Sequence, residues 1–445
     1  MSRLPVVTSR LPHLSRRGFA LGGAAALTAG ALAACNPGGS TTNEGGGDPV
    51  EQQDPSELAG KTLSYLYFTD GPDEQATRDL IAQFEQEYDV TVELEIVPFS
   101  DITTTLQARL SGGQAPDVAR VAATAPFAGD LLVLDDFLGA EYIDEFAEGV
   151  RVGMTDPDGK IVAIASDLTQ NGPFVNTDLF EKAGVEIPES WTWEEMVTLA
   201  KQVQEAAGTE FAFAMDKSGH RLSMILSQGG TYLVQEQESS LDPAAATTAL
   251  QPLVDMINDG TSPKDFWLDS GTKYAGANEV FLAQQTPVYL SGNWQVAQFD
   301  TNAEFGWSTV ANPTLSGGGG FPGGKFMVGF SAGPENQLAA TFLQFMNTTE
   351  SQKAFITASS FMPTRADLTE SGVEYPVRNE EMNVFIEDLA ETPSEAYAAC
   401  YSPLFDAAAQ EFIKQFAEVV AGNKELAQAM EDLKAGIDTV AEQAG

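Results

Sequence analysis

Cysteine and histidine are nearly absent from this 445-residue chain, with two of each. Two cysteines exclude a disulfide-stapled scaffold, and so few Cys and His leave too few ligands for a structural zinc site. Positive charge is also scarce: 23 Lys and Arg stand against 64 Asp and Glu, a formal net charge of -41. Nucleic-acid binders need clustered cations to neutralise phosphates, and anionic membrane surfaces attract the same clusters. Neither partner suits this composition. Neither a Walker phosphate loop nor a His-Glu-X-X-His motif occurs, and no serine-nucleophile elbow is read. The four glycines at 317–320 lack the strand and lysine of a phosphate cradle. No cofactor and no metal are expected. What is present is 43% apolar and 9% aromatic, enough for two to three cored domains of ~100–200 residues each.

The first 34 residues carry four arginines and no acid, then an apolar run over 21–34. Fourteen residues are too few for a span of ~20, so the run reads as the apolar region of a secretory signal. Arg16-Arg17 ahead of it resembles a twin-arginine export signal, and Leu32-Ala33-Ala34-Cys35 resembles a bacterial lipobox. Residues 1–34 are therefore expected to be a lipoprotein signal, and Cys35 the lipidated residue. Residues 36–54 are mostly Gly, Ser, Thr, Asn, Pro and acids with almost no apolar residue, so 35–58 is expected to be a flexible tether behind Cys35. With the signal removed, 19 basic residues face 64 acidic ones, a charge of -45. No later segment is long and apolar enough to span, so the lipid would be the only membrane anchor. Cys400 would remain as a lone thiol, expected to act as a small buried apolar residue.

The body alternates strand and helix. Strands are expected at 62–68, 90–97 and 116–121, with amphipathic helices at 73–88 and 101–110 between them. Such an order implies a mostly parallel sheet with ligands beyond the carboxyl ends of its strands, near 68–70 and 122–124. A turn at 156–160 leads into a strand at 161–165. It faintly resembles a calcium loop without the ligand register. Thr177 or Asp178 is expected to cap a helix closed by Gly184, and Thr192 to cap the next. A further strand is expected at 287–290.

Phe-Glu-Gln-Glu-Tyr at 84–88, Pro-Asp-Val at 116–118, Asn-Thr-Asp-Leu-Phe-Glu-Lys-Ala-Gly at 176–184, Pro188 with Trp193, Gln228-Gly229-Gly230, Ser291-Gly292-Asn293-Trp294 and Phe361-Met362-Pro363-Thr364-Arg365 follow one another in a specific order. In this the chain resembles the extracellular solute-binding proteins of carbohydrate ABC importers over roughly 60–440. The resemblance implies an α/β, two-lobed periplasmic-binding-protein type II fold, each lobe a mostly parallel sheet flanked by helices. The first lobe would hold 59–167 plus 329–385 and the second 168–328 plus 386–445. Crossings are expected near 166–169, 328–331 and 385. It further implies a monomer without catalysis that closes on a carbohydrate and presents it to membrane permease subunits.

Sugar hydroxyls want planar polar partners, and sugar C–H faces want flat rings. Trp294, in a Gly-flanked loop, matches the family's sugar-stacking Trp. Asp70 at a strand end and Asp167 at the first crossing are candidates, each also readable as a turn residue. Gln170, Asn171 and Gln228 could reach hydroxyls. Lys325 replaces an aromatic residue common in relatives, so it implies a more polar ligand or points to solvent. Arg365 could be a cleft donor or a salt-bridge partner, and Trp267 a second stacking ring or a core residue. Phe68 and Tyr401 are weaker aromatic candidates. His220 and Arg221 fall in a cleft-side segment. A non-sugar solute such as a glycerol phosphate diester, polyol or peptide is the second reading. A glycosidase using Asp265/Asp269 or Glu194/Glu195 is a remote third.

Overall fold

The computed structural model describes residues 57–444 other than 72, 236 and 269–272. The signal segment, Cys35 and the tether up to 56 lie outside the described residues. Ten strands follow the chain: β1 Thr62–Tyr67, β2 Thr91–Ile96, β3 Val118–Val121, β4 Ile164–Asn176, β5 Phe213–Met215, β6 Val234–Gln235, β7 Glu238–Ser239, β8 Val288–Gly292, β9 Trp307–Thr309 and β10 Pro322–Gly329. Eight of them form one sheet in the order β2-β1-β3-β10-β4-β8-β5, with β9 also on β4; β6 and β7 form a small hairpin. In the first lobe β1 is parallel to β2 and β3, as the alternating pattern predicts. In the second β5 is parallel to β8.

Two antiparallel strands join the lobes. β4 pairs with β10 through residues 164–170 and with β8 through residues 171–175. β10 pairs with β4 from Pro322 to Met327, and its last four residues pair with β3. Val328 and Gly329 therefore lie within the first lobe's sheet, opposite Ala119 and Val118, and the shared stretch of β10 comes earlier in the chain. The strand expected at 161–165 begins at Ile164 and continues to Asn176, with all thirteen residues buried.

Local chemistry explains the elements around the sheet. Helix Asp73–Tyr88 buries Thr77, Leu80, Ile81 and Phe84, the stripe of a helix with one face on a core. Phe84 meets Phe342 and Phe345 at 5.0 and 5.2 Å between ring centres. Its complete burial contributes about 1.5–3 kcal/mol. Thr192 and Glu195 form a reciprocal capping box at the start of helix Trp193–Ala207. Helix Thr177–Ala183 is capped by Asn176, not by Thr177 or Asp178: the Asn176 side chain accepts from Leu179 N–H, and Gly184 closes the helix at φ +66°. Leu58, placed with the tether by composition, is 2% exposed and belongs to the first core. A second core lies under helices Phe405–Val420 and Leu426–Ala444, where Trp267 packs on Phe416.

Candidate functional site

A cavity of about 280 Å³ opens where the strand ends of both lobes meet. Asp70 after β1, Phe99 after β2 and Ala122–Ala123 after β3 form the first-lobe wall. Ser218, His220 and Arg221 after β5 and Trp294 after β8 form the second. Thr169 and Asn171 of β4 and Gly323, Gly324 and Lys325 of β10 supply the crossing strands' share. Phe321, Cys400, Tyr401, Phe405 and Asp406 complete the lining. The site thus sits beyond strand carboxyl ends, as this class of sheet dictates.

Beneath the first-lobe wall lies a buried ionic cluster. Arg120 on β3 places Nη1 3.3 Å from Asp70 Oδ2 and 3.1 Å from Asp73 Oδ2, and Nη2 3.1 Å from Asp167 Oδ2. Its guanidinium lies over Phe68, 4.7 Å from the ring centre, and donates to the Phe68 carbonyl. Tyr67 donates its hydroxyl to Asp73. Burial pushes the Asp167 carboxyl up, against the opposing pull of Arg120 and Lys325. Asp167 Oδ2 also accepts from Ser166, while Oδ1 has no protein partner.

Trp294 is half-buried and packs on the backbone of Gly292, where a Cβ would stand 2.2 Å from the indole. Only glycine permits that approach. Arg221 covers the indole at 5.4 Å and bonds through Nη2 to Ser291 Oγ (3.0 Å) and Asp216 Oδ2 (3.2 Å). His220 meets Phe405 and Phe321 edge-on; burial, with Lys325 and Arg221 adding to it, pushes the imidazole down to about 4. Phe99 is 56% exposed, a large ring left open at the cavity. The wall therefore offers two rings from two lobes, with hydrogen-bonding groups between them. That combination suits a flat, polar-edged ligand.

Of the residues singled out from sequence, Trp294, Asp70, Asn171, Lys325 and Tyr401 line this cavity, as do His220 and Arg221 of the expected cleft-side segment. Six others do not. Asp167 is spent in the Arg120 cluster, and Phe68 is fully buried beneath Phe99. Gln170 is buried, taking Asn293 Oδ1 on its backbone N–H and donating its amide to Thr392. Gln228 accepts from Trp193 Nε1 and donates to the Gly319 carbonyl, so it braces a loop. Arg365 pairs with Glu145 and Asp367. Trp267 is a core residue. Phe99 was missed, although the rule that points to Asp70 applies equally to the end of β2.

No enzyme constellation forms among the described residues. Gly329-Phe330-Ser331-Ala332-Gly333 does have nucleophile-elbow spacing, a match the sequence reading passed over. Ser331 is exposed and donates to the Asp130 carbonyl at the end of β10 remote from the cavity, while His220 is on the cavity wall. Glu195 is a helix cap, and Asp269 lies outside the described residues. The turn at 156–160 is held by Asp156 Oδ1, which accepts from the Asp158 and Lys160 N–H groups. No group of metal-ligating side chains occurs among the described residues, and no helix among them is long and apolar enough to cross a membrane.

Two α/β lobes joined by crossing strands, with a cavity walled by both, define a binding protein that takes its ligand between lobes. The family model for bacterial extracellular solute-binding proteins matches residues 79–379, and the chain belongs to that family. A multiple sugar-binding protein of Streptococcus mutans is 23% identical over 362 residues, covering 75% of this chain and 79% of its own. An arabinooligosaccharide-binding protein of Bacillus subtilis is 27% identical over 221 residues, 46% of this chain and 49% of its own. Among solved structures, the GacH receptor of Streptomyces glaucescens, known in complex with acarbose, superimposes with a TM-score of 0.74 at 20% identity, covering 86% of this chain and 99% of that one. The expected fold is thereby shown.

Proposed function

We propose that this chain captures a carbohydrate in the interlobe cavity and delivers it to the permease of an ABC importer, without catalysing a reaction. One observation carries the reading: Trp294 and Phe99, on different lobes, face one cavity that also holds polar side chains. A sugar between them would bury its C–H faces on the rings and its hydroxyls against Asp70, Asn171 and Tyr401. A ligand that touches both lobes binds the closed arrangement better and so shifts the population toward it. The permease would then read the closed state.

The moving bodies are proposed to be 59–167 with 329–385 and 168–328 with 386–445, except that Phe326–Val328, paired with β3, go with the first. Export by the segment 1–34, attachment through lipidated Cys35, and a monomeric state complete the proposal. The lipobox spacing and the family's extracellular character support it. Calorimetry with sugars, together with small-angle scattering, tests it. Saturable heat with a smaller radius of gyration is expected. A sugar panel that gives neither would overturn it, and binding confined to polyols, peptides or glycerol phosphate diesters would favour the non-sugar reading.

A further inference from the structure

Lys325 makes no ion pair among the described residues of a chain with 64 acidic residues. It stands half-buried on the cavity wall, and among the described residues no carboxylate or other acceptor meets its ammonium; it faces the Phe99 ring, 6.0 Å from the centre. Asp167, across the strand pair, feels its charge but makes no ion pair with it, so the ammonium is left free to meet an anion from outside.

The second-lobe wall adds to the same potential. Helix Gly219–Gln228 turns its first residues to the cavity through Ser218, His220 and Arg221. The Ser218 side chain makes no capping bond, and the N–H groups of Gly219, His220 and Arg221 meet no acceptor among the described residues. Aligned peptide dipoles place partial positive charge at such an end. Arg221, only 9% exposed, leaves its buried Nε without a partner. Burial depresses the basicity of His220, and Lys325 and Arg221 add to that effect. Of the nearby carboxylates, Asp70 and Asp167 are paired with Arg120, and Asp406 lines the same cavity.

We propose that the ligand is a sugar carrying a ring carboxylate, a uronic-acid unit, with the carboxylate set between Lys325 and the first turn of helix Gly219–Gln228 and the ring against Trp294. This rests on the reading of the cavity as a sugar site. A singly charged group matches the charge of Lys325, because Arg221 already shares its charge with Asp216. A phosphate dianion would leave charge uncompensated in a partly enclosed site.

Calorimetry on the full chain tests this with galacturonate, glucuronate and mannuronate and their dimers, the matching neutral hexoses and dimers, and hexose 6-phosphates. A uronate should bind at least ~10-fold tighter than its neutral counterpart, the gain of one charge-assisted bond. Lys325→Gln should abolish that ratio, and Lys325→Arg should keep it. Lys325 makes no hydrogen bond or ion pair among the described residues, so Lys325→Arg, which keeps the charge near Asp167, should not shift the unfolding midpoint. Neutral sugars binding as well as uronates, a ratio unchanged in Lys325→Gln, or preference for the 6-phosphates would each overturn the inference while leaving the sugar site standing. Binding by no sugar of any kind would overturn both.

Discussion

Arg120 Nη2 lies 3.1 Å from Asp167 Oδ2, a contact that joins β3 of the first lobe to the strand that crosses into the second. Both groups are buried, and Asp73 shares the same guanidinium. Removing one partner of such a cluster leaves uncompensated charge in the interior. Arg120→Met is expected to destabilise the chain by about 3–5 kcal/mol at pH 7. Urea midpoints with an unchanged slope would measure it, and a loss below ~1 kcal/mol would mean the cluster is solvated.

Asp167 gives the pH dependence a definite sign. Its folded carboxyl is raised above the ordinary range by burial. Between its unfolded and folded values the native state therefore binds more protons, so stability falls as pH rises through that window. The contribution is fully present below the unfolded value and lost above the folded one. The stability difference between wild type and Asp167→Asn should shift in favour of wild type as pH is lowered from 7 through the carboxylate range. A difference that is flat with pH would contradict this.

His220 has the opposite sign. Its imidazole is pushed down to about 4, so the unfolded chain binds the extra proton between about 6.5 and 4. Stability from this group is present above the unfolded value and is lost as pH falls toward 4. The ring nitrogens of His220, followed by NMR, should remain neutral at pH 5.5. Phe321, Phe405, Lys325 and Arg221 are the groups that keep them so. Titration near pH 6.5 would refute the assignment.

Trp294 and Trp267 separate binding from folding. Trp294→Ala should weaken sugar binding by roughly 10-fold or more, the cost of losing a ring anchor, with little change in the unfolding midpoint. Trp267→Ala should cost about 3–5 kcal/mol of stability and leave the affinity of the folded fraction unchanged. Phe99→Ala should behave like Trp294→Ala, with a stability change within about 0.5 kcal/mol for so exposed a ring.

Much of the first lobe was legible because its strands and helices are amphipathic. Helix Asp73–Tyr88 and strand Thr62–Tyr67 stand within a residue of their expected limits. β4 was not legible past Ala165, for a physical reason. Its middle is Ser166, Asp167, Thr169, Gln170 and Asn171, buried polar groups that form the floor between lobes, followed by Pro173. No hydrophobic periodicity marks such a strand, and proline argues against one. The same floor explains the site residues misplaced from sequence. A buried Gln or Asp near a crossing looks like a ligand donor, but Gln170 is engaged by Thr392 and Asp167 by Arg120. Asp70 and Trp294 could be placed because a strand end and a Gly-flanked loop follow from topology. Which side chains the fold had already partnered could not be read without the packing.

The central claim is that the cavity between the lobes takes a sugar. Its most direct test is the unfolding midpoint of the chain against neutral sugars, uronates, polyols, peptides and phosphate esters, in wild type and Trp294→Ala. A ligand that binds only the native state adds about 2.7 kcal/mol of stability at 100 times its dissociation constant. The account requires a rise with at least one sugar class, and a markedly smaller rise in Trp294→Ala. A rise produced only by non-sugar compounds, or one untouched by the loss of Trp294, would contradict it.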